Sequence, residues 1–350
     1  MSGGIIQLIA VGQQDTYMSG EPEISFFQSS YRRHTNFAQY IDRQIIQGNP
    51  SPGGMSSVRI EKKGDLLNYM FITGLQGDQV QSFTDWTQII LKVELLIGGQ
   101  VIDTQDSLFC EEIAIDTLAQ RYTQSSAASL HNGLYASSEF YPFRFFCCEN
   151  WQSSLPLVAL EYHDVELKIY WGPDVSTYNF EIAGNFIALD DYERNQFRQR
   201  EKIDMLIFQV QKNIPSREKV WDLSFNHPVK FLASSNAVTG NGGNPLASVT
   251  NKIKFEINGL DITEMKQSSP YFTTIPSYYH TQFSRGNKTH MFLYPFCLDT
   301  SKLQPTGTLN FSRVSTFRIH SEEILTYPIY AVNYNILRIQ NGMAGVVYAN

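Results

Sequence analysis

The side chains that could do chemistry are spread thinly along this chain. Its histidines are His34, His131, His163, His227, His280, His290 and His320. A zinc protease needs two imidazoles one helical turn apart in His-Glu-x-x-His, and a cupin-like centre needs a His-x-His pair. Neither spacing occurs. Tyr162-His163-Asp164 sets an imidazole beside a carboxylate, but neighbours on a strand face opposite sides, so a structural histidine is the expectation. A serine nucleophile calls for Gly-x-Ser-x-Gly, and a phosphate-cradling loop calls for Gly-Lys; the sequence contains neither. Paired acids stand at Glu111-Glu112, Asp190-Asp191 and Glu322-Glu323. A glycosidase holds two carboxyls about 5–10 Å apart across a cleft, which adjacent acids on exposed segments would not do. Four cysteines, Cys110, Cys147, Cys148 and Cys297, do not make a disulfide framework in 350 residues. Adjacent Cys147 and Cys148 in an aromatic run read as buried thiols of a reducing compartment. Two sequons begin at Asn287 and Asn310. Asn287 lies in a polar stretch and is the better candidate for glycosylation; Asn310 reads as a structural strand residue. No catalytic, cofactor or metal site is expected.

The residues around these groups alternate with period two. Leu91, Val93, Leu95 and Ile97 point one way and Lys92 and Glu94 the other, and Gly98-Gly99 then supplies a turn. Val165–Ile169 and Ile253–Ile257 repeat the pattern. Gly48–Gly54 and Gly240–Pro245 read as loops, the latter as a hairpin tip. Helical spacing appears only briefly, at Leu108, Ile115, Leu118 and Tyr122. Many short strands with few helices predict a sandwich or barrel. Charged residues are 17% of the chain, against roughly 25% in an average soluble protein, and Phe and Tyr number 23 and 19. Low charge with many aromatics suits β structure, and equally a surface that becomes buried against neighbours. A net charge of −7 argues against direct nucleic-acid binding, which needs clustered Lys and Arg. Neither a signal peptide nor a membrane span is expected from the apolar runs.

Three segments recur in order. Lys92–Gly99 matches Lys254–Gly259, Phe143–Cys148 matches Phe292–Cys297, and Leu155–Leu160 matches Gln304–Leu309. The last two share one offset of 149 residues (297 − 148 and 309 − 160). This spacing predicts a duplicated domain. The charged stretch Arg194–Lys202, interrupted by Glu201, reads as a connector between copies rather than a nucleic-acid patch. The expected division is an N-terminal arm over 1–25, one domain over 26–198 and a second over 199–350.

The opening Gly3-Gly4-Ile5-Ile6-Gln7-Leu8, followed by Tyr31-Arg32-Arg33-His34-Thr35-Asn36-Phe37, resembles the start of major capsid proteins of nucleocytoplasmic large DNA viruses. So do Leu155–Val165, Leu303–Arg313 and Tyr330–Ile339, which places the resemblance over nearly the whole chain. It implies an all-β fold of two consecutive antiparallel eight-stranded jelly rolls with short helices in the loops. It also implies a homotrimer that forms pseudo-hexagonal capsomers, contacts neighbouring capsomers and minor capsid proteins, and tiles an icosahedral shell around an internal membrane, after assembly in the host cytoplasm. At 350 residues the chain is short for that family, which leaves a minor capsid or host- or sugar-binding paralogue of the same fold as the alternative. A β-sandwich hydrolase is the third class, and it would need a carboxylate-lined cleft. Candidate interface aromatics are Tyr141, Phe143, Tyr271, Phe272, Tyr278 and Tyr279, each of which reads alternatively as sandwich core. Arg32 and Arg33 are candidates for a partner's acidic groups or lipid phosphates; the alternative is that they close off a first strand beginning near Phe26. The arm reads either as a contact beneath the shell or as a free terminus.

Overall fold

The computed structural model describes residues 13–83, 85–118, 139–175, 178–236, 243–282 and 291–349. By its contacts the chain divides into residues 1–36 and residues 37–350. In the first unit, Gln13–Ser19 forms a short helix and residues 20–36 are turns and irregular chain. Phe26 and Phe27 are 90% and 101% exposed, so no strand forms there and Arg32 and Arg33 do not close one. A strand needs one face to bury, and this run places aromatics and charges on both.

In the second unit the principal strands run β1 (Phe37–Gln44), β2 (Met55–Arg59), β3 (Leu66–Gln76), β4 (Ile90–Ile97), β5 (Gln100–Asp106), β6 (Phe140–Pro142), β7 (Val165–Trp171) and β8 (Asn179–Leu189). They continue as β9 (Lys202–Asn213), β10 (Val220–Asp222), β11 (Pro228–Ser234), β12 (Lys252–Ile257), β13 (Leu260–Asp261), β14 (Phe292–Pro295), β15 (Phe317–Ser321) and β16 (Ile329–Gln340). The first half folds into two antiparallel sheets, β1-β8-β3-β6 and β2-β7-β4-β5. Raising every label by eight gives the second half, β9-β16-β11-β14 and β10-β15-β12-β13. Each half is a jelly roll, and the chain is a double one.

Local chemistry sets the same turn in both rolls. The β4–β5 hairpin turns through Gly98-Gly99 with φ of 57° and 80°, and the β12–β13 hairpin turns through Asn258-Gly259 with φ of 50° and 83°. Two successive positive φ values make the type I′ turn that matches strand twist, and Asn and Gly tolerate them best. The ladders also correct the sequence alignment of the halves. Leu155 and Pro156 pair with Leu67 and Leu66, and Leu309 and Asn310 pair with Val229 and Pro228. The counterpart of Leu155 is therefore Leu309, not Gln304, because pairing register rather than side-chain identity fixes equivalence.

Alternation fills the cores. In β7, Val165, Leu167, Ile169 and Trp171 are all fully buried, while the residues between them are half-exposed. Phe255 centres the second core, with ring centroids 5.4 Å from Phe272, 4.3 Å from Tyr294 and 5.8 Å from Phe317. The first sheet of the second roll is buried on both sides. Val229, Leu232, Ile329 and Ala331 belong to the second roll's own core, whereas Phe231, Ala233, Tyr330 and Val332 belong to the core of the first.

Because β11 and β16 serve both cores, the rolls should unfold together. Phe255→Ala in the second core and Phe109→Ala in the first should each cost about 3–5 kcal/mol and shift one common denaturant transition. Two transitions separating under either substitution would contradict this.

Candidate functional site

Among the described residues, several of the groups singled out for chemistry make structural contacts. His163 Nδ1 lies 3.1 Å from both the amide nitrogen and the carbonyl oxygen of Ala344, while its neighbour Asp164 accepts from Arg59 at 2.6 Å. His320 pairs with Glu256 at 2.8 Å, and His280 Nδ1 lies 2.9 Å from the Cys297 carbonyl. Glu111 and Glu112, expected on an exposed segment, are buried instead: the helical turn Phe109–Ala114 folds them inward, and Glu111 accepts the Trp86 amide at 3.1 Å. Asp190 caps the helix Asp191–Gln199 by accepting the Glu193 amide. Asn310 caps the turn Phe311–Arg313 in the same way. All four cysteines are free and buried, and burial pushes the Cys148 thiol far above its ordinary range, away from nucleophilic reactivity. Among the described residues no three His, Cys, Asp or Glu side chains gather as metal ligands. No described helix is long and apolar enough to cross a membrane.

Among the described residues, a buried polar network lies along the seam between the rolls. Strand β5 of the first roll runs along the edge strand β9 of the second. Asp103 accepts the edge amide of Val210 at 2.9 Å, the Thr104 amide at 3.0 Å and Gln105 Nε2 at 2.7 Å. Gln209 donates to the Ile102 carbonyl and accepts from Asn335 at 2.8 Å. Asp106 accepts the Tyr330 hydroxyl at 2.8 Å and pairs with Lys212. Burial pushes the Asp103 carboxyl up to about 7, against the pull of its three donors. Across the seam, burial draws Lys230 down to about 8; its ammonium donates to the Lys302 carbonyl at 3.1 Å and lies 5.3 Å from the Tyr334 ring.

The predicted interface aromatics divide into two groups. Tyr141, Phe143 and Phe272 are 1%, 1% and 5% exposed; they are core residues, and the interface reading of them is corrected. Their ring contacts explain the burial: Tyr141 meets Trp86 and Phe143, and Phe272 meets Phe255 and Phe292. Tyr271, Tyr278 and Tyr279 are exposed on or beside the short helix Thr274–His280, with Tyr278 and Tyr279 in edge contact at 5.0 Å. Arg32 and Arg33 are exposed in the N-terminal unit. Asn287 lies outside the described residues. Sequence reasoning missed Asp103 and Asp106, whose only signal was acidic side chains on an otherwise ordinary edge strand.

The duplicated jelly roll, with apolar side chains left at its exterior, is the architecture of viral capsid proteins of known structure. Known proteins agree. The family described as "Major capsid protein N-terminus" matches residues 25–195, and "Large eukaryotic DNA virus major capsid protein" matches residues 233–345. The chain is 30% identical to the major capsid protein of Pyramimonas orientalis virus and 30% identical to that of Paramecium bursaria Chlorella virus 1, over the full length of each. The quasi-atomic PBCV-1 virus capsid superposes with a TM-score of 0.74 at 25% identity, covering 93% of this chain and 100% of that one. The Faustovirus major capsid protein, at 10% identity, shares the fold with a TM-score of 0.68. The chain belongs to the large eukaryotic DNA virus major capsid protein family and is a structural capsid protein.

The seam carries a pH signature. The folded Asp103 carboxyl holds its proton up to about pH 7, the unfolded one only to about 3.8. Between those values the fold binds more protons, so this group's contribution to stability falls as pH rises. In thermal melts, the difference between the wild-type and Asp103→Asn midpoints should change over that window and level off above it. A constant offset across all pH values would rule Asp103 out as the source.

Proposed function

We propose that the chain is the main shell subunit of its virion, a homotrimer whose pseudo-hexagonal capsomers tile an icosahedral capsid around an internal membrane. The observation that carries this reading is the duplication: two rolls of one topology in succession, so three chains present six similar edges. The similarity to a chain of an assembled PBCV-1 capsid supports association with other capsid subunits. The division into an arm over 1–25 and rolls over 26–198 and 199–350 fits the helix Asp191–Gln199 standing between β8 and β9. The arm contacts minor capsid proteins or the membrane beneath the shell, and Arg32 and Arg33, beyond the arm, meet a partner's acidic groups or lipid phosphates. Tyr271, Tyr278 and Tyr279 meet a partner, and Asn287 is the position for a glycan. Four buried free thiols suit assembly in the reducing host cytoplasm.

The purified chain should sediment near three times 39.9 kDa and show a six-sided outline by negative stain. A stable single-chain species at working concentrations would defeat the proposal. A low copy number in purified particles would instead favour the minor-capsid paralogue.

A further inference from the structure

The second roll buries an amine where the first buries a thioether. Phe71 opposite Pro142 corresponds to Phe231 opposite Pro295, so the residues before them, Met70 and Lys230, are counterparts. The backbone agrees. The Met70 carbonyl accepts the Phe143 amide at 3.1 Å, and the Lys230 carbonyl accepts the Phe296 amide at 2.9 Å. Met70 is 1% exposed and Lys230 3%. The register slips between Val229 and Phe231, which leaves Lys230 outside the alternation of β11, and a bulge of this kind re-aims a side chain.

Lys230 lines a cavity of about 20 Å³ at the seam, walled by Phe146 and Asn150 of the first roll and by Phe208 and Tyr334 of the second. A water needs about 10–15 Å³, so the cavity holds one small occupant. The ammonium has three protons to place. Among the described residues one goes to the Lys302 carbonyl at 3.1 Å, and the Tyr334 ring lies 5.3 Å away. The acids around it are committed elsewhere. Glu149, also on the cavity wall, pairs with buried Arg144 at 3.3 Å. Asp299 accepts the Ser301 amide at 2.8 Å, the Ser301 hydroxyl at 2.7 Å and Gln282 at 2.9 Å. Burial raises the Cys297 thiol and the Tyr334 phenol, which keeps both neutral. Lys302 adds a second positive charge to the lining. A buried charge without a counter-charge is strongly unfavourable.

We infer that the cavity at Lys230 binds a small monovalent anion of halide size, such as chloride, which supplies the counter-charge of the ammonium and ties β11 to the Phe146–Asn150 segment of the first roll. The occupant is an anion because the lining brings two ammonium groups against one carboxylate that already faces a guanidinium. It is a single small ion because the space is of one-occupant size and Phe146 and Phe208 offer a larger polar ligand nothing to bond. The walls come from both rolls, so the site exists only while they are packed together, and binding stabilises the closed seam by linkage. The inference goes beyond the shell-subunit reading and holds equally for a minor capsid protein of this fold.

Thermal melts at constant ionic strength, with sodium chloride replacing sodium gluconate, test the site, because gluconate is too large to enter. The wild-type midpoint should rise by about 2 °C for each tenfold increase in chloride once the site fills. Lys230→Met installs the side chain that the first roll already uses at this position, and it should abolish that dependence. Crystals of the wild-type protein soaked in sodium bromide should show an anomalous scattering peak beside Lys230 Nζ, a result that stands even where the variant fails to fold. A wild-type midpoint blind to chloride, a dependence that Lys230→Met retains, or a water in place of bromide at Nζ would each overturn the assignment.

Discussion

The architecture depends on a sheet that cannot be left wet on either side. Strands β11 and β16 place Val229, Leu232, Ile329 and Ala331 in one core and Phe231, Ala233, Tyr330 and Val332 in the other. Burying a large apolar side chain is worth about 1.5–3 kcal/mol, whereas a typical internal hydrogen bond nets about 0.5–1.5 kcal/mol. Apolar burial therefore sets how tightly the rolls are joined. The polar contacts of Asp103, Asp106 and Gln209 set where they are joined, because each aligns one residue of β5 with one residue of β9 or β16.

The seam also solves an edge problem. Strand β9 closes one side of its sheet, and an unpaired row of amides there would invite wrong pairing. Asp103 occupies the Val210 amide, and Asp106 draws in Lys212 alongside. Asp103 is costly to bury in its charged form, as its raised carboxyl shows. Buried charge of this kind contributes little net stability but penalises misregistered packing, which would leave it without donors. The buried Arg144–Glu149 pair at 3.3 Å, close to the same seam, fits that role.

Much of the fold was legible because strand alternation and turn chemistry are local. Leu91–Ile97 and Ile253–Ile257 became β4 and β12, and their glycine-bearing turns became matched type I′ hairpins. Residues 26–31 misled because aromatic content resembles a strand even where alternation is missing. Tyr141, Phe143 and Phe272 misled for a related reason: core and interface draw on the same aromatic side chains, and only the strand partner decides which way each ring points. Tyr141 sits opposite Ile72 on the core-facing side of its sheet, a relation between residues far apart in sequence. Glu111 and Glu112 were misplaced because adjacent carboxylates ordinarily mark solvent, and the helical turn that buries them is set by tertiary packing.

The two outer faces have the same ladder but different chemistry, and cover from within the chain accounts for the difference. The second roll's face is sealed as the chain folds and never meets water again, so it carries Val210, Tyr330 and Val332 like a core cut in half. The first roll's face stays open in the chain. It carries Arg43, Glu181 and Ala183 at those same positions, with the charges paired to each other at 2.8 Å and its aromatics only half-covered. Large uncharged apolar patches on a free subunit lead to indiscriminate association, and interfaces made after folding stay more polar than those made during it. The two rolls share one ladder, so cover from within the chain, and not topology, separates the face that is apolar throughout from the one that carries a surface ion pair.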